Sequence, residues 1–531
     1  MKLSRRVVLL GAAATIGMNV RRATAKPPRP ADASVNPVLF WNAVCLDLIA
    51  LDHSIDIADA RAPGPCASAR ALGLVHTVIA DAVHFAYRAA FKPLFYRGDL
   101  DFHIDAPELF VGAAASGMLS QIFNTSMHAY TISVSSERFR KLVGAYKSKD
   151  WQAGIAFANA ARFREHWSWD RMQQSLLPQY STYIPRPRRH NVDPYNAGQG
   201  YYGAEWGNYR PLVLDGLRDV EALGPGAPPP EGSPEYERDL AEVRVKGALR
   251  SKSDRHFPAR TRHETNVGLF WAYDGARLLG TPPRLYNQIL SQIAISDELD
   301  VVEMARLFAL CNLAMADASI VAWSAKYRYN VWRPVLGIPN HAHAPVSNWL
   351  PLGAPKTNPV RAVQGGIGPR QTAQSLMGSG SIRPDQLSEE HDEPDLRRVR
   401  KTAKPLYRDA AFTPNFPAYP SGHATFGGAC FTMLKLLRHE QSLTRRNPGA
   451  IDGEFVSDEL NGASIEHGFD EARPFYPIPY KGIDDLIKDN NLSRIYLGVH
   501  WRFDCDRGSE SGARIARAIY DRYGKLDRHG S

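Results

Sequence analysis

Ser421, Gly422 and His423 stand just ahead of an apolar run, Phe426 to Leu437, in the stretch FPAYPSGHATFGGAC at 416–430. Pro420 and Gly422 punctuate the backbone, so Ser421 reads as the N-cap of a helix that begins at the Gly–His step. The first N–H groups of such a helix have no intrahelical partner and carry the positive end of its dipole. With no side chain at Gly422 to block them, they can be offered to a tetrahedral oxyanion, with the Ser421 hydroxyl and the His423 imidazole at the rim. Taken alone, the tripeptide is more simply a capped helix with a surface histidine.

Two other stretches supply what an anion site needs. Lys326 and Arg333 lie seven residues apart in AKYRYNVWRP. That is about two helical turns, which predicts both cations on one face before Pro334 ends the helix. SRIYLGVHWRFD brings Arg494, His500 and Asp504 within one short segment. Arg494 and His500 would point to different faces of an unbroken helix, so the chain is expected to break near Gly498, with His500 opening a new turn. Asp504, four residues further on, then sits one turn along and can orient the imidazole or stabilise its charge.

The elements that must hold these residues read as helices. Leu72, Val75, Ile79, Val83 and Ala86 recur at helical spacing after a Ser68 cap, and Val301, Met304, Phe308, Cys311 and Met315 make a second stripe. A further helix is expected from Ile320 to Trp332, with Lys326 and Arg333 on its inner face. His76 and His84 read as packing residues. Residues 181–235, rich in Pro, Gly, Tyr and Arg, read as irregular chain, and AGQGYYGAEWG at 197–207 lacks the following helix of a phosphate loop. A polar segment, 359–411, with a charged run from Glu389 to Arg400, reads as a surface excursion or lid. The fold expected is all-α: two helical bundles side by side with long irregular loops, divided into 26–235 and 236–531, the second carrying the oxyanion site.

The chain has 531 residues, 44% of them apolar, enough to bury large cores. Its net charge is +9, but five cations (Lys2, Arg5, Arg6, Arg21 and Arg22) fall in the first 25 residues, where there is no acid. The remainder is too weakly basic for a nucleic-acid footprint. Arg5-Arg6, a short apolar run and Ala23-Thr24-Ala25 read as a twin-arginine export signal cleaved after Ala25, delivering the protein to the periplasm or beyond. The run is too short to remain as a membrane span, and no membrane association is expected after its removal. Five cysteines are spread too far for metal spacing; Cys45 and Cys66 are the pair an oxidising compartment could join, while Cys311 and Cys430 read as small core residues.

Lys326…Arg333-Pro334, Pro420-Ser421-Gly422-His423 and Ser493-Arg494…His500…Asp504 together resemble, in order and spacing, the three-part signature shared by vanadium-dependent haloperoxidases and acid phosphatases of the phosphatidic acid phosphatase type 2 class. The intervals, 85 residues between Pro334 and Pro420 and 69 between His423 and Ser493, are longer than phosphatases of this class usually show and favour the peroxidase branch. FWAYDGARLLGTPPRLYNQI at 270–289, LGAPKTN at 352–358 and, more weakly, NPVLFWNAVCLDL and SARALGLVHTVIADA look like segments of the fungal vanadium chloroperoxidases. The export signal and the 359–411 insert depart from that family.

The resemblance implies vanadate as cofactor, held by Lys326, Arg333, Ser421, Gly422, Arg494 and His500, with His500 as the axial ligand and His423 as the general acid–base; Asp504, the other catalytic residue, stands behind His500. Hydrogen peroxide, a halide and an organic acceptor are the implied partners. The alternative is an exported acid phosphatase, in which His500 carries the phosphoryl group and His423 protonates the leaving alcohol. The family uses a buried acid to pair with the third-motif arginine. Glu264 lies near where that acid would fall, with His263 the alternative for the exact position, and Asp274 is a second carboxylate close to the same core. Trp323 and Phe416 match aromatic positions that line the halide side in the chloroperoxidases, which implies oxidation of chloride as well as bromide.

Overall fold

Burial of apolar helix faces organises the chain around one large core, with a smaller separate cluster that includes Tyr236, Trp332, Trp501 and Phe503. The computed structural model describes residues 35–53, 60–96, 103–144, 149–160, 181–194, 199–275, 279–343, 345–353, 413–440, 447–461 and 474–524. The export signal and the 359–411 insert lie outside these residues. The first part of the chain forms α1 (Pro37–Asp52), α2 (Gly64–Tyr87), α3 (Pro107–Ile122), α4 (Ser126–Val143), α5 (Lys149–Ala160) and α6 (Gly216–Ala222). The second forms α7 (Pro234–Lys246), α8 (Arg262–Phe270), α9 (Pro282–Ser296), α10 (Val301–Tyr329), α11 (Pro334–Gly337), α12 (Gly422–Glu440), α13 (Ile483–Tyr496) and α14 (Arg502–Ile519). Among the described residues the strands are two, β1 (Ala450–Phe455) and β2 (Ile478–Gly482), paired antiparallel. The all-α expectation holds.

Helix α10 is the axis, packed on α2 on one side and on α12 on the other. Its side chains are buried almost without interruption from Met304 to Lys326. The sequence reading divided this stretch in two, yet Ala316-Asp317-Ala318-Ser319 contains no breaker, and a capping box of Asp300 with Glu303 starts one helix of 29 residues. Asn330, left-handed at φ 56°, stops it. Ser68 is likewise no cap: α2 begins earlier, at Gly64, and the Ser68 hydroxyl donates to Ala62 O at 3.0 Å. Helix α2 and the 301–337 stretch have the length and hydropathy of a bilayer span, but both lie buried inside the fold. All five cysteines are buried and unpaired, so Cys45 and Cys66 are not joined.

Buried carboxylates tie the irregular segments down. Asp317 on α10 accepts the N–H groups of Leu212, Val213 and Leu214 at 2.6–2.8 Å. Asp81 on α2 does the same for Leu94, Phe95 and Tyr96. Removing the acceptor strands several N–H donors in the interior, and hydrogen bonds to a charged group are the stronger kind. Asp317→Ala should therefore cost on the order of 3 kcal/mol in urea unfolding. A loss below about 1 kcal/mol would show that water replaces the carboxylate.

Candidate active site

Ser421 caps α12 as its sequence predicts. Its hydroxyl accepts the Ala424 N–H at 3.3 Å, and its own N–H donates to Asp504 O at 2.9 Å, joining the helix start to the segment that carries His500. A side chain at Gly422 would press on Trp323, whose ring lies 3.3 Å from the Cβ position. His423 Nε2 lies 2.7 Å from Ala272 O. A carbonyl only accepts, so Nε2 carries the proton and Nδ1 keeps its lone pair. Burial, and then the charge of Arg494, hold the His423 pKa well below its usual range.

The break at Gly498 is present. Helix α13 ends at Tyr496, Gly498 takes φ +70°, and any Cβ there would lie 2.5 Å from Gly247 O. His500 stands just ahead of α14, with Asp504 in its first turn. Asp504 Oδ2 accepts both His500 Nδ1–H, at 2.9 Å, and the Trp501 N–H, at 3.0 Å. The tautomer is thereby fixed, leaving His500 Nε2 with a lone pair that accepts from Arg333 Nη1 at 3.1 Å. Burial, then Arg333 and Lys326, push the His500 pKa well down. Burial also raises the Asp504 carboxyl to about 8, against the pull of the Trp501 N–H and then of Lys326 and Arg333.

The cations are arranged differently from the sequence reading. Arg333 is not on α10: it lies beyond the Asn330 stop in extended backbone, φ −81° and ψ 157°, at the head of α11. Its Nε donates to Phe416 O at 3.0 Å and its Nη1 to Val499 O at 2.8 Å, while Nη2 is buried with no partner. Lys326 stays on α10, but its ammonium donates to three carbonyls of the turn before Ser421: Pro417 at 2.7 Å, Ala418 at 3.0 Å, and Pro420. The two cations thus converge by a chain reversal rather than along one helix face, and the hydrogens of Lys326 brace the turn that presents Ser421.

Arg494 donates Nη2 to Asp274 Oδ1 at 2.7 Å, and its Nε is buried with no partner. Asp274 is therefore the buried acid, and it also lies 3.9 Å from His423 Nε2. Glu264 faces elsewhere, bonded to Lys246 at 2.7 Å. It is the N3 member of a capping box with Thr261, a local signal legible in Thr261-Arg262-His263-Glu264. His263 is exposed, 3.4 Å from the Tyr476 hydroxyl.

One pocket is lined by Gly422, His423, Asp274, Arg494 and His500 together with Trp323, Phe416, Phe426 and Tyr273. The Trp323 and Phe416 rings are 4.9 Å apart. Lys326, Arg333, Ser421 and Asp504 stand behind this lining. Among the described residues no three His, Cys, Asp or Glu side chains could cage a bare metal ion. What the site offers is unpartnered arginine N–H and the imidazole lone pairs of His500 Nε2 and His423 Nδ1, a set suited to a tetrahedral oxyanion and its proton.

A mostly helical fold thus carries the residues of the three-part signature. Residues 306–365 and 385–528 match the model of the VCPO second helical-bundle domain. Vanadium chloroperoxidase of Curvularia inaequalis is 27% identical over an alignment of 556 residues, covering 90% of this chain and 80% of that protein. The fold is similar to that of a bacterial vanadium-dependent iodoperoxidase, with TM-score 0.56 at 18% identity, covering 89% of this chain and 94% of that one. It is also similar to that of a holo-type bacterial vanadium-dependent chloroperoxidase, with TM-score 0.50 at 14% identity, covering 85% and 90%. The C-terminal part of the chain thus matches the VCPO second helical-bundle domain, and over most of its length the chain is similar to vanadium haloperoxidases.

Proposed function

We propose that this protein is a vanadate-dependent haloperoxidase that uses hydrogen peroxide to oxidise halide to hypohalous acid. We also propose that it acts outside the cytoplasm, on the strength of the Arg5-Arg6 signal read in the sequence. The observation that carries the enzymatic reading is the pair of buried arginine groups without partners, Arg333 Nη2 and Arg494 Nε, around the His500 Nε2 lone pair. Vanadate fits this donor set: the two arginines, Ser421 and the Gly422 turn would hold its oxygens, and His500 Nε2 would be its one protein ligand, with the charge of Lys326 behind. When bound, vanadate supplies a Lewis acid that polarises peroxide without changing oxidation state. His423 Nδ1, kept unprotonated by burial and by Arg494, accepts a proton from peroxide entering the pocket and can return it to the leaving oxygen. Halogenation of a dye with vanadate, peroxide and halide tests the proposal, set beside phosphate-ester hydrolysis by the vanadate-free protein. Hydrolysis without halogenation would return the site to the phosphohistidine reading.

The walls bear on the halide. Chloride is harder to oxidise than bromide, and aromatic walls exclude water and add no basic group near the reacting oxygens. Trp323 and Phe416 supply such walls, and we propose that chloride as well as bromide is a substrate. Phe416→His should depress chlorination more than bromination at one pH; equal losses, or a wild type inert to chloride in acidic assay, would defeat this.

A further inference from the structure

Helix α14, which carries Asp504 and follows directly on His500, has the wrong residue at its N-cap. That position ordinarily holds Ser, Thr, Asp or Asn, whose oxygen accepts the N–H of the second or third helical residue. Here it holds Trp501. An indole N–H only donates, and that of Trp501 is given to Trp332 O at 2.9 Å. The N–H of Phe503, the second helical residue, instead finds an acceptor 264 positions away in sequence: Asp239 Oδ2 on α7, at 2.9 Å. The Asp239 side chain is 2% exposed, and its other oxygen accepts from Arg238 at 3.2 Å. Two carboxylates therefore share the start of α14. Asp504 takes the Trp501 N–H and the His500 Nδ1–H, and Asp239 takes the Phe503 N–H.

Helix α7 applies a whole stripe to this joint, at 235, 236, 239 and 242, which is one helical face. Glu235 pairs with Arg507 and Glu242 with Arg502. The Tyr236 ring lies 5.6 Å from that of Trp501, and its hydroxyl accepts Trp332 Nε1–H at 2.9 Å, next to Arg333. The same helix thus braces the residue before Arg333 and the residue after His500. Asp239 does not itself reach the pocket.

We propose that Asp239 is a positioning residue of the active site: an N-cap supplied from another helix, which fixes the first turn of α14 and with it the direction of His500 Nε2. This rests on the oxyanion reading of the site, but not on the halide chemistry. Three variants separate the hydrogen bond from the charge. Asp239→Asn keeps an acceptor at the same place and loses the charge. Asp239→Glu keeps the charge and displaces the acceptor by one methylene. Asp239→Ala removes both. Calorimetric binding of vanadate and, separately, of inorganic phosphate to each protein is the readout, with the imidazole ¹⁵N shifts of His500 as the local signature.

The expected result is that Asp239→Asn stays close to wild type, while Asp239→Glu and Asp239→Ala weaken both oxyanions by about 10–100-fold, the usual effect of disturbing the outer partner of a ligating histidine, here Asp504 in the turn that Asp239 caps. Asp239→Glu binding like wild type while Asp239→Asn weakens would overturn the cap, since charge would then be the cause. Wild-type affinity in a folded Asp239→Ala protein would overturn it too. If Asp239→Ala does not fold, the order of Asn and Glu still decides. A wild type that binds both oxyanions yet never halogenates would sink the peroxidase reading and leave this one standing.

Discussion

His500→Ala is expected to abolish vanadate retention, by more than about 100-fold in affinity, whereas His423→Ala retains vanadate and loses halogenation by about 10²–10⁴-fold. The two histidines are similarly buried and both have depressed pKa values, so a general loss of polarity cannot separate them. Their hydrogen bonds can. His500 spends Nδ1–H on Asp504 and turns Nε2, beside Arg333 Nη1, to the site, where it would be the ligand of a bound oxyanion. His423 spends Nε2–H on Ala272 O and keeps Nδ1 for a mobile proton. Equilibrium dialysis with ⁵¹V detection measures the first effect and dye halogenation at saturating vanadate the second. Because burial and Arg333 hold His500 well below its usual 6.5, wild-type retention should stay level as pH falls from neutral to 6.5 and fail only further into acid. Identical behaviour of the two variants would mean the roles are wrongly divided.

What could be read ahead of the structure were features written in adjacent residues. The Ser421 cap, the break at Gly498 and the one-turn spacing of His500 and Asp504 are local, and each stands where its sequence places it. Helical spacing misplaces Arg333 because Asn330 is a left-handed stop, a role that after Gly falls most often to Asn. Lys326 is legible from its spacing to Arg333 and from the signature, but nothing in AKYRYNVWRP shows that its ammonium meets carbonyls some ninety residues later in the chain. Asp239 at the start of α14 lies equally beyond local reading, because a cap contributed by another helix leaves only an absence, the indole where an oxygen belongs. The choice between Glu264 and Asp274 is the instructive case. Both lie close in sequence to the same core, and the one with a recognisable local role, in a capping box, was for that reason already occupied.

The same two carboxylates give a stability result that would settle the assignment without any cofactor. Arg494 is fully buried and Asp274 nearly so, at 0% and 4% side-chain exposure, and their contact is 2.7 Å. Burial pushes the Asp274 pKa up, while Arg494 and then Arg333 pull it down, so the carboxylate is kept in the interior by the arginines it faces. Asp274→Ala leaves Arg494 as a buried charge with only the distant carbonyls of Trp271 and Ala272, at 3.4 and 3.3 Å, to receive it. Breaking one side of such a pair costs about 3–5 kcal/mol. Glu264 and Lys246 are 20% and 11% exposed, reachable by water, and pairs of that kind contribute about 1 kcal/mol or less. Urea unfolding of the vanadate-free protein should therefore show Asp274→Ala far more damaging than Glu264→Ala, with Asp274→Asn between them because the amide still accepts from Arg494 without balancing its charge. Added phosphate or vanadate should recover part of the Asp274→Ala loss, since an oxyanion beside Arg494 returns the missing negative charge. If Glu264→Ala proved the more destabilising, or phosphate stabilised wild type and Asp274→Ala equally, Asp274 would not be the counter-charge of the site.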